Sequence, residues 1–261
     1  MPEVPGENSK RLSAGQIFEA AVATARQELK RSSRALAFSG LAGGLTMGLT
    51  GLAVSSVHAI VGAGGWSDLA GFLFYPVGFI AVIIGRGQLF TENTLYPVIL
   101  LLDERSRAHF TNTARLWAVV FASNIAGASA FAALAVLTGA LRPNIVGALV
   151  TLGQEALAQS SARVFWSGVL GGWLIALVAW IVTASHWTIG QLAMTWLLTF
   201  VVGVARLSHC IATSGEALSA VIHGSAAFGT YAHWLLLATL GNIVGGVVIV
   251  SLLNYGQVKE P

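Results

Sequence analysis

Two polar runs interrupt hydrophobic stretches that are otherwise long enough to cross a lipid bilayer. The run 85–93 interrupts the stretch 72–102, and the run 205–214, which contains His209, interrupts the stretch 188–222. An ionisable group at bilayer depth costs roughly 2.5–3.5 kcal/mol on insertion scales, so it persists where it lines a polar path or meets a partner. The two runs are therefore the predicted functional centre.

The charged side chains of these runs allow two readings. Arg86 and Arg206 either attract anions, or they are compensated by Glu92 and Glu216. Buried charges are usually paired, so we expect salt bridges, with at least one arginine reaching one of these two carboxylates. A lone histidine inside a membrane is often a packed, neutral residue, but the position of His209 within one of two matching breaks favours a role in a pore.

The residues expected around the breaks are mostly apolar, and an apolar constriction resists bare ions because it cannot replace their hydration shell. The predicted pathway comprises His209, Leu89, Phe90, Thr91, Tyr75, Phe79 and Val202. Further residues are predicted to stabilise the loops or to attract anions: Arg86, Glu92, Asn93, Arg206, Ser208, Glu216, Asn124 and Asn242.

Composition places the chain among multi-pass membrane proteins, since 55% of its residues are hydrophobic and only 10% are charged. Segments of about 20 apolar residues predict six spans, at 35–61, 69–102, 116–140, 164–184, 190–222 and 235–253. They form a channel domain over 35–253, between an amphipathic segment at 1–34 and a tail at 254–261. No cleavable leader is visible, so the first span is expected to serve as the insertion signal.

Basic residues set the expected orientation, because they collect on cytoplasmic segments. Ten of the 14 lie on one predicted side, namely Lys10, Arg11, Arg26, Lys30, Arg31, Arg34, Arg105, Arg107, Arg115 and Lys259. The other side has only Arg142 and Arg163, so both termini are predicted to be cytoplasmic. This topology accounts for the net charge of +3 without a nucleic-acid partner.

Cysteine content and motifs argue against other chemistry. The single cysteine, Cys210, excludes an intrachain disulfide, and we expect it to be a small buried packing residue. No metal-ligand set or catalytic constellation is visible, so no metal, cofactor or enzymatic activity is predicted. The amino-terminal segment has a capping box at Ser13 and Gln16, and its apolar face is expected to lie along the cytoplasmic interface.

An internal repeat relates the two halves of the chain. The motif at 39–44 matches 167–172, Arg86 matches Arg206, and 123–127 matches 241–245. Each repeat has three spans, so the second enters the membrane from the opposite side, and the fold class is an all-α membrane protein with inverted three-helix repeats and broken second and fifth helices. The amino-terminal ends of the half-helices would then point partial positive charge at the midplane, which favours an anion.

Several of these motifs resemble the formate/nitrite transporter family over nearly the whole chain. They are Gln88-Leu89-Phe90-Thr91 after a glycine-containing turn, Ser208-His209-Cys210-Ile211-Ala212, and Asn124 and Asn242 in glycine-rich helices. The extended run 86–94, together with Glu216, is most similar to a bacterial inner-membrane branch. The resemblance implies a homopentamer of aquaporin-like protomers that passes small monovalent anions such as formate, nitrite, lactate or hydrosulfide, often with a proton.

The chain departs from formate channels at several positions. It has Ser208 where they have an acidic residue, Gly172 where they have an asparagine that binds the histidine, and Val202 at a phenylalanine constriction. The arginine pair is an addition. Two other functions therefore stay open: a pore that is tightly gated or passes a neutral solute, and a non-conducting membrane scaffold.

Overall fold

A computed structural model describes residues 11–259, and that part of the chain contains helices and loops without any strand. Five helical segments are long and apolar enough to cross a membrane: Ser33–Val61, Trp66–Ile84, Arg107–Leu137, Ser161–Ala184 and Phe228–Lys259. The predicted class, an all-helical multi-pass membrane protein, is confirmed. Lys10 of the predicted basic cluster lies outside the described residues.

The helices follow the predicted spans, with both overlong spans divided. They are α1 (Ala14–Lys30), α2 (Ser33–Val61), α3 (Trp66–Phe72), α4 (Val77–Ile84), α5 (Tyr96–Glu104), α6 (Arg107–Leu137), α7 (Pro143–Leu157), α8 (Ser161–Ala184), α9 (Thr188–Val204), α10 (Ala212–Ile222), α11 (Phe228–Val244) and α12 (Leu253–Lys259). A π-helical stretch, Gly245–Leu252, joins α11 to α12. The predicted span 69–102 corresponds to α3, α4 and α5, and the predicted span 190–222 to α9 and α10.

Both interruptions begin at an arginine in a left-handed backbone conformation. Arg86 has φ 58° and Arg206 has φ 50°, and neither value is compatible with a right-handed helix. The first loop, 85–95, contains a short 3₁₀ turn at Glu92–Thr94 and leads into α5, where Pro97 stands in the first turn. The second loop, 205–211, leads into α10.

The amino-terminal helix α1 packs on the protein. Its predicted capping box is present, because the Ser13 side chain accepts from the Gln16 backbone and the Gln16 side chain accepts from the Ser13 backbone. Its buried face lies against α5 and α12, and the ring of Phe18 contacts that of Tyr255 at 6.1 Å. Much of the predicted tail is therefore helical, and it helps to cover α1 together with Lys259, which lies over the Phe18 ring.

Two helix pairs carry the loops, α2 with α6 and α8 with α11. At their crossings a Cβ on Gly44 would lie 2.0 Å from the Asn124 carbonyl oxygen, and one on Gly172 would lie 2.2 Å from the Asn242 carbonyl oxygen. Only glycine permits such an approach. These two contacts bring each asparagine within reach of a loop.

Candidate functional site

Asn124 on α6 holds the first loop. Its Nδ2 donates to the carbonyl oxygens of Gly40 at 2.7 Å and Gln88 at 2.9 Å. Its Oδ1 accepts from the backbone N–H of Phe90 at 2.9 Å. The side chain is fully buried, and it supplies partners for two loop backbone groups that would otherwise be unpaired, the Gln88 C=O and the Phe90 N–H.

Asn242 on α11 makes the same set of contacts with the second loop. Its Nδ2 donates to the carbonyl oxygens of Gly168 at 2.8 Å and Ser208 at 2.9 Å. Its Oδ1 accepts from the backbone N–H of Cys210 at 2.9 Å. In both asparagines the two amide donors and the carbonyl oxygen are engaged by the protein. Their geometry fits loop support better than direct contact with a solute.

His209 joins the two loops. Its Nε2 lies 2.9 Å from the Thr91 hydroxyl of the first loop, and its Nδ1 accepts from the backbone N–H groups of Ile211 at 3.3 Å and Ala212 at 3.0 Å. Because Nδ1 is an acceptor, we assign the proton of the neutral ring to Nε2, which donates to Thr91. Orientation of the histidine therefore needs no side chain at Gly172, which packs on the Asn242 backbone.

Apolar side chains enclose this polar contact. The Phe79 ring meets the His209 ring edge-on at 5.0 Å, and the Tyr75 ring lies 5.7 Å from that of Phe79. Leu89 and Val202 are also buried. The centre is therefore a polar hydrogen bond within an apolar shell, where an unpaired charge would be costly.

Phe90 occupies a different environment from the other predicted pathway residues. Its ring contacts Trp117 at 5.6 Å and Phe121 at 5.0 Å, both on α6. These are edge-to-face aromatic contacts of the kind that stabilise packing. The contacts of Phe90 thus fit anchoring of the first loop, whereas Phe79 touches the histidine directly.

Two small cavities flank the centre. The α7-side cavity, about 70 Å³, is lined by residues including Tyr75, Val202, Arg206, Ser208 and Glu216. The α1-side cavity, about 60 Å³, is lined by residues including Ile83, Arg86, Gln88, Glu92 and Tyr96. Each is large enough to hold water, since a water molecule needs roughly 10–15 Å³ of such a cavity. His209 is fully buried and lines neither cavity, so the two are not joined through it.

Arg206 is paired, but its partners are not the predicted ones. Its Nη2 lies 2.9 Å from Asp68 on α3, its Nη1 bonds Glu155 on α7, and its guanidinium lies 5.4 Å from the centre of the Phe72 ring. The predicted pairing with Glu216 is wrong, because the left-handed turn directs the arginine toward α3 and α7, whereas Glu216 lies against Gly51 of α2.

Arg86 lines the α1-side cavity with Glu92, yet neither forms an ion pair with any residue in the described range 11–259. The prediction that at least one of the two arginines reaches Glu92 or Glu216 is therefore wrong. Glu92 begins a 3₁₀ turn, which the sequence analysis did not predict.

A hydrogen-bonded chain connects the first loop to α1. The Gln88 amide donates to Glu28 at 2.8 Å and accepts from Asn93 at 2.9 Å. Asn93 also donates to the Leu89 carbonyl oxygen at 3.0 Å, and its own carbonyl accepts from Trp117 at 2.9 Å. Asn93 thus makes contacts within the loop and with α6, and Glu28 extends the site to the amino-terminal helix.

Sequence reasoning missed three acidic residues of the site: Asp68, Glu155 and Glu28. Asp68 and Glu155 could have been predicted as partners for Arg206, because both are acidic residues close to the apolar spans. No local signal links Glu28 to Gln88, which is 60 residues away. Ser208, a predicted loop residue, bonds the Ser167 hydroxyl at 2.9 Å.

Within residues 11–259 no group of three or more His, Cys, Asp or Glu side chains could hold a metal ion. Cys210 is buried and free, and it packs in the second loop beside the Asn242 amide. The polar groups described above supply hydrogen bonds and charge within an apolar shell.

Comparison with known proteins places this site in a family. Residues 15–256 match the model of the family described as "Formate/nitrite transporter". The chain is 31% identical over 239 residues to "Inner membrane protein YfdC" of Escherichia coli, covering 90% of this chain and 75% of that protein.

Solved structures agree in fold. The chain is similar to an "FNT family ion channel", with a TM-score of 0.82 and 18% identity, over 92% of this chain and 98% of that one. It is also similar to a "Pentameric formate channel with formate bound", with a TM-score of 0.72 and 19% identity, over 85% and 96% of the two chains.

Proposed function

This chain belongs to the formate/nitrite transporter family, and we propose that it passes small monovalent anions of the formate, nitrite, lactate and hydrosulfide class. Membership of a transporter family confirms that the protein is a membrane transporter rather than an enzyme. The observation that carries the proposed substrate class is the buried bond between His209 and Thr91, one residue from each loop. It places a hydrogen-bond donor at the meeting point of the loops, inside an apolar shell.

The proposed protomer has six membrane-spanning helices in two inverted repeats. The first repeat is α2, the broken helix formed by α3 to α5, and α6. The second is α8, the broken helix formed by α9 and α10, and α11 continuing into α12. The matching asparagine contacts and left-handed arginines of the two loops support this arrangement. The channel domain is thus proposed to occupy 35–253, with cytoplasmic segments at either end.

In the proposed mechanism the substrate is attracted as an anion and crosses as a neutral acid. The Nε2–H of His209 can donate to the substrate once the Thr91 contact opens, while Nδ1 stays fixed by the backbone N–H groups that begin α10. Phe79, Leu89 and Val202 exclude bare ions because they offer no replacement for hydration. Transport would therefore be linked to a proton.

Assembly and orientation are part of the proposal. A homopentamer is supported by the solved relative that is described as pentameric. The basic residues near α1, α5 and α6 support cytoplasmic termini. A location in the bacterial inner membrane is supported by the similarity to an inner membrane protein of Escherichia coli.

A tightly gated pore is the second candidate. It is favoured by the separation of the two cavities and by Arg206, which ties α3 to α7 beside one of them. In that case the same pathway would conduct only after the ion pairs of Arg206 with Asp68 and Glu155 break.

Uptake by proteoliposomes tests the proposal. The purified protein should take up formate, nitrite, lactate or hydrosulfide, faster with an inward proton gradient, and His209→Asn should reduce uptake by at least about tenfold, the loss expected when a positioned donor is removed. The matched control is His223→Asn, a histidine exposed at the end of α10. Uptake of a neutral solute alone would favour the gated or neutral pore, and no uptake at all would favour a scaffold.

A further inference from the structure

Among residues 11–259, Glu216 is a buried carboxyl without a polar partner. It lies on α10, its residue is only 8% exposed, and it lines the α7-side cavity. Within residues 11–259 its side chain makes no hydrogen bond or ion pair, and a Cβ on Gly51 would lie 2.7 Å from its Cγ and 3.2 Å from its Oε1. The carboxyl thus rests against glycine at the edge of a cavity, where a small solute can reach it.

The charges around Glu216 do not neutralise it. Arg206 lines the same cavity, but its guanidinium is engaged by Asp68 and Glu155. The charged and titratable groups that line this cavity with Glu216 are Arg206, Glu155 and Tyr75, and Asp68 and His58 lie next to Arg206 on its other side. Because Glu216 is buried and its carboxyl has no hydrogen-bond partner within residues 11–259, the neutral acid is its less costly state.

The histidine cannot serve alone as the proton carrier. Its Nδ1 accepts from Ile211 and Ala212, so a second proton there would face two N–H groups. Its Nε2–H is already donated to Thr91. A proton that travels with the substrate therefore needs another donor along the path, and Glu216 lies in the cavity that precedes the apolar shell.

We propose that Glu216 is the proton-exchanging residue of the α7-side cavity, an inference that rests on the proposed anion transport. The Glu216 carboxylic acid gives its proton to an oxygen or sulfur of the entering anion, so the Glu216 O–H bond breaks and the substrate becomes a neutral acid. The Glu216 carboxylate then regains a proton from hydronium that reaches the cavity from the external solution, so that one proton enters with each anion. Glu92, which lines the α1-side cavity and forms no ion pair within residues 11–259, is placed to accept the proton on the other side. The substrates are thus anions of weak acids, and chloride and nitrate are excluded.

Proteoliposome transport tests this assignment. Formate uptake and proton co-uptake are measured against external pH for wild type, Glu216→Gln, Glu216→Asp and Glu155→Gln. We expect Glu216→Gln to lower proton-coupled uptake on the order of 100-fold, the lower end of what a positioned acid contributes, and to flatten the pH profile. Glu216→Asp should retain the profile. Glu155→Gln alters a paired carboxylate of the same cavity. This variant should be less stable, but its uptake should show a pH profile of the same shape as wild type.

If Glu216→Gln does not fold, infrared spectroscopy of the wild-type protein provides a second test. The carbonyl stretching band of a protonated carboxyl should be present in wild type at neutral pH and should shift when formate is added. Absence of a formate-sensitive band, or an unchanged pH profile in folded Glu216→Gln, would overturn the assignment of Glu216 alone. Wild-type liposomes that take up none of the four anions would overturn the proposed function as well.

Discussion

The two loops have the same backbone conformation but differ in their polar side chains. Each begins with a left-handed arginine, and the residue after it donates a hydrogen bond five residues back, from Gly87 to Val82 at 2.8 Å and from Leu207 to Val202 at 3.0 Å. An asparagine from a neighbouring helix then holds each loop. At the position where the second loop has His209, however, the first has Leu89. The scaffold is duplicated, and the polar centre belongs to one copy.

This comparison separates two kinds of residue. Changes to the shared scaffold should have equal effects in both halves. A change at the polar centre should impair transport, whereas the matching change in the other loop should not. Each of the following experiments tests that division.

The largest effect is expected from the two asparagines. Asn124→Leu and Asn242→Leu each leave two buried loop backbone groups without a partner, at about 1–3 kcal/mol per group, namely the Gln88 C=O and Phe90 N–H in one half and the Ser208 C=O and Cys210 N–H in the other. Both should therefore fail to assemble or should melt far below wild type, and by similar margins, in detergent thermal-shift measurements. A variant that is harmless in one half and disruptive in the other would break the equivalence of the loops.

Thr91 should matter for transport more than for stability. Thr91→Val keeps the shape of the side chain but removes the partner of the His209 Nε2–H, so we expect about a tenfold loss of proton-coupled uptake, equivalent to roughly 1.4 kcal/mol. Thr91→Ser, which keeps the hydroxyl, is the control and should lie near wild type. Equal uptake by Thr91→Val and wild type would show that the first loop does not contribute to the polar centre.

The arginines should differ despite their matching backbone. Arg206→Gln loses two ion pairs that are partly exposed, which predicts a loss of about 1 kcal/mol and a lower melting temperature. Arg86→Gln should change the melting temperature much less, since Arg86 has no such pair among the described residues. Raised salt should narrow the difference, because partly exposed ion pairs are screened. A larger loss at Arg86 would reverse this ranking.

The smallest effect is expected from two serines that cap the loops. Ser39 accepts from the Gln88 N–H at 3.2 Å, and Ser167 accepts from the Ser208 N–H at 3.3 Å. Each bond is long, so Ser39→Ala and Ser167→Ala should each cost about 0.5 kcal/mol. Ser167→Ala should cost slightly more, because Ser167 also bonds the Ser208 hydroxyl. Thermal shifts of the two single variants and of the double variant provide the measurement.

The helices and their interruptions could be predicted from the sequence because they depend on local hydrophobic length and on the repeat. The pairing of Asn124 and Asn242 with the loops followed from matching motifs. The partners of Arg206 could not be predicted, since Asp68 is 138 residues away and the direction of the guanidinium depends on a left-handed turn. The second bond of His209, to Thr91 in the other repeat, likewise depends on how the halves meet.

The last part of the chain completes the first loop. The Ser251 hydroxyl donates to the Thr94 carbonyl oxygen at 2.9 Å, and a Cβ on Gly246 would lie 1.9 Å from the Thr94 hydroxyl oxygen. The first loop is synthesised early, but its Thr94 carbonyl oxygen bonds a residue of a helix that is synthesised near the end of the chain. Until that helix is inserted, the first loop must find its hydrogen bonds in water or in the insertion machinery. Truncation before Ser251 should thus leave a nascent protein that quality control removes.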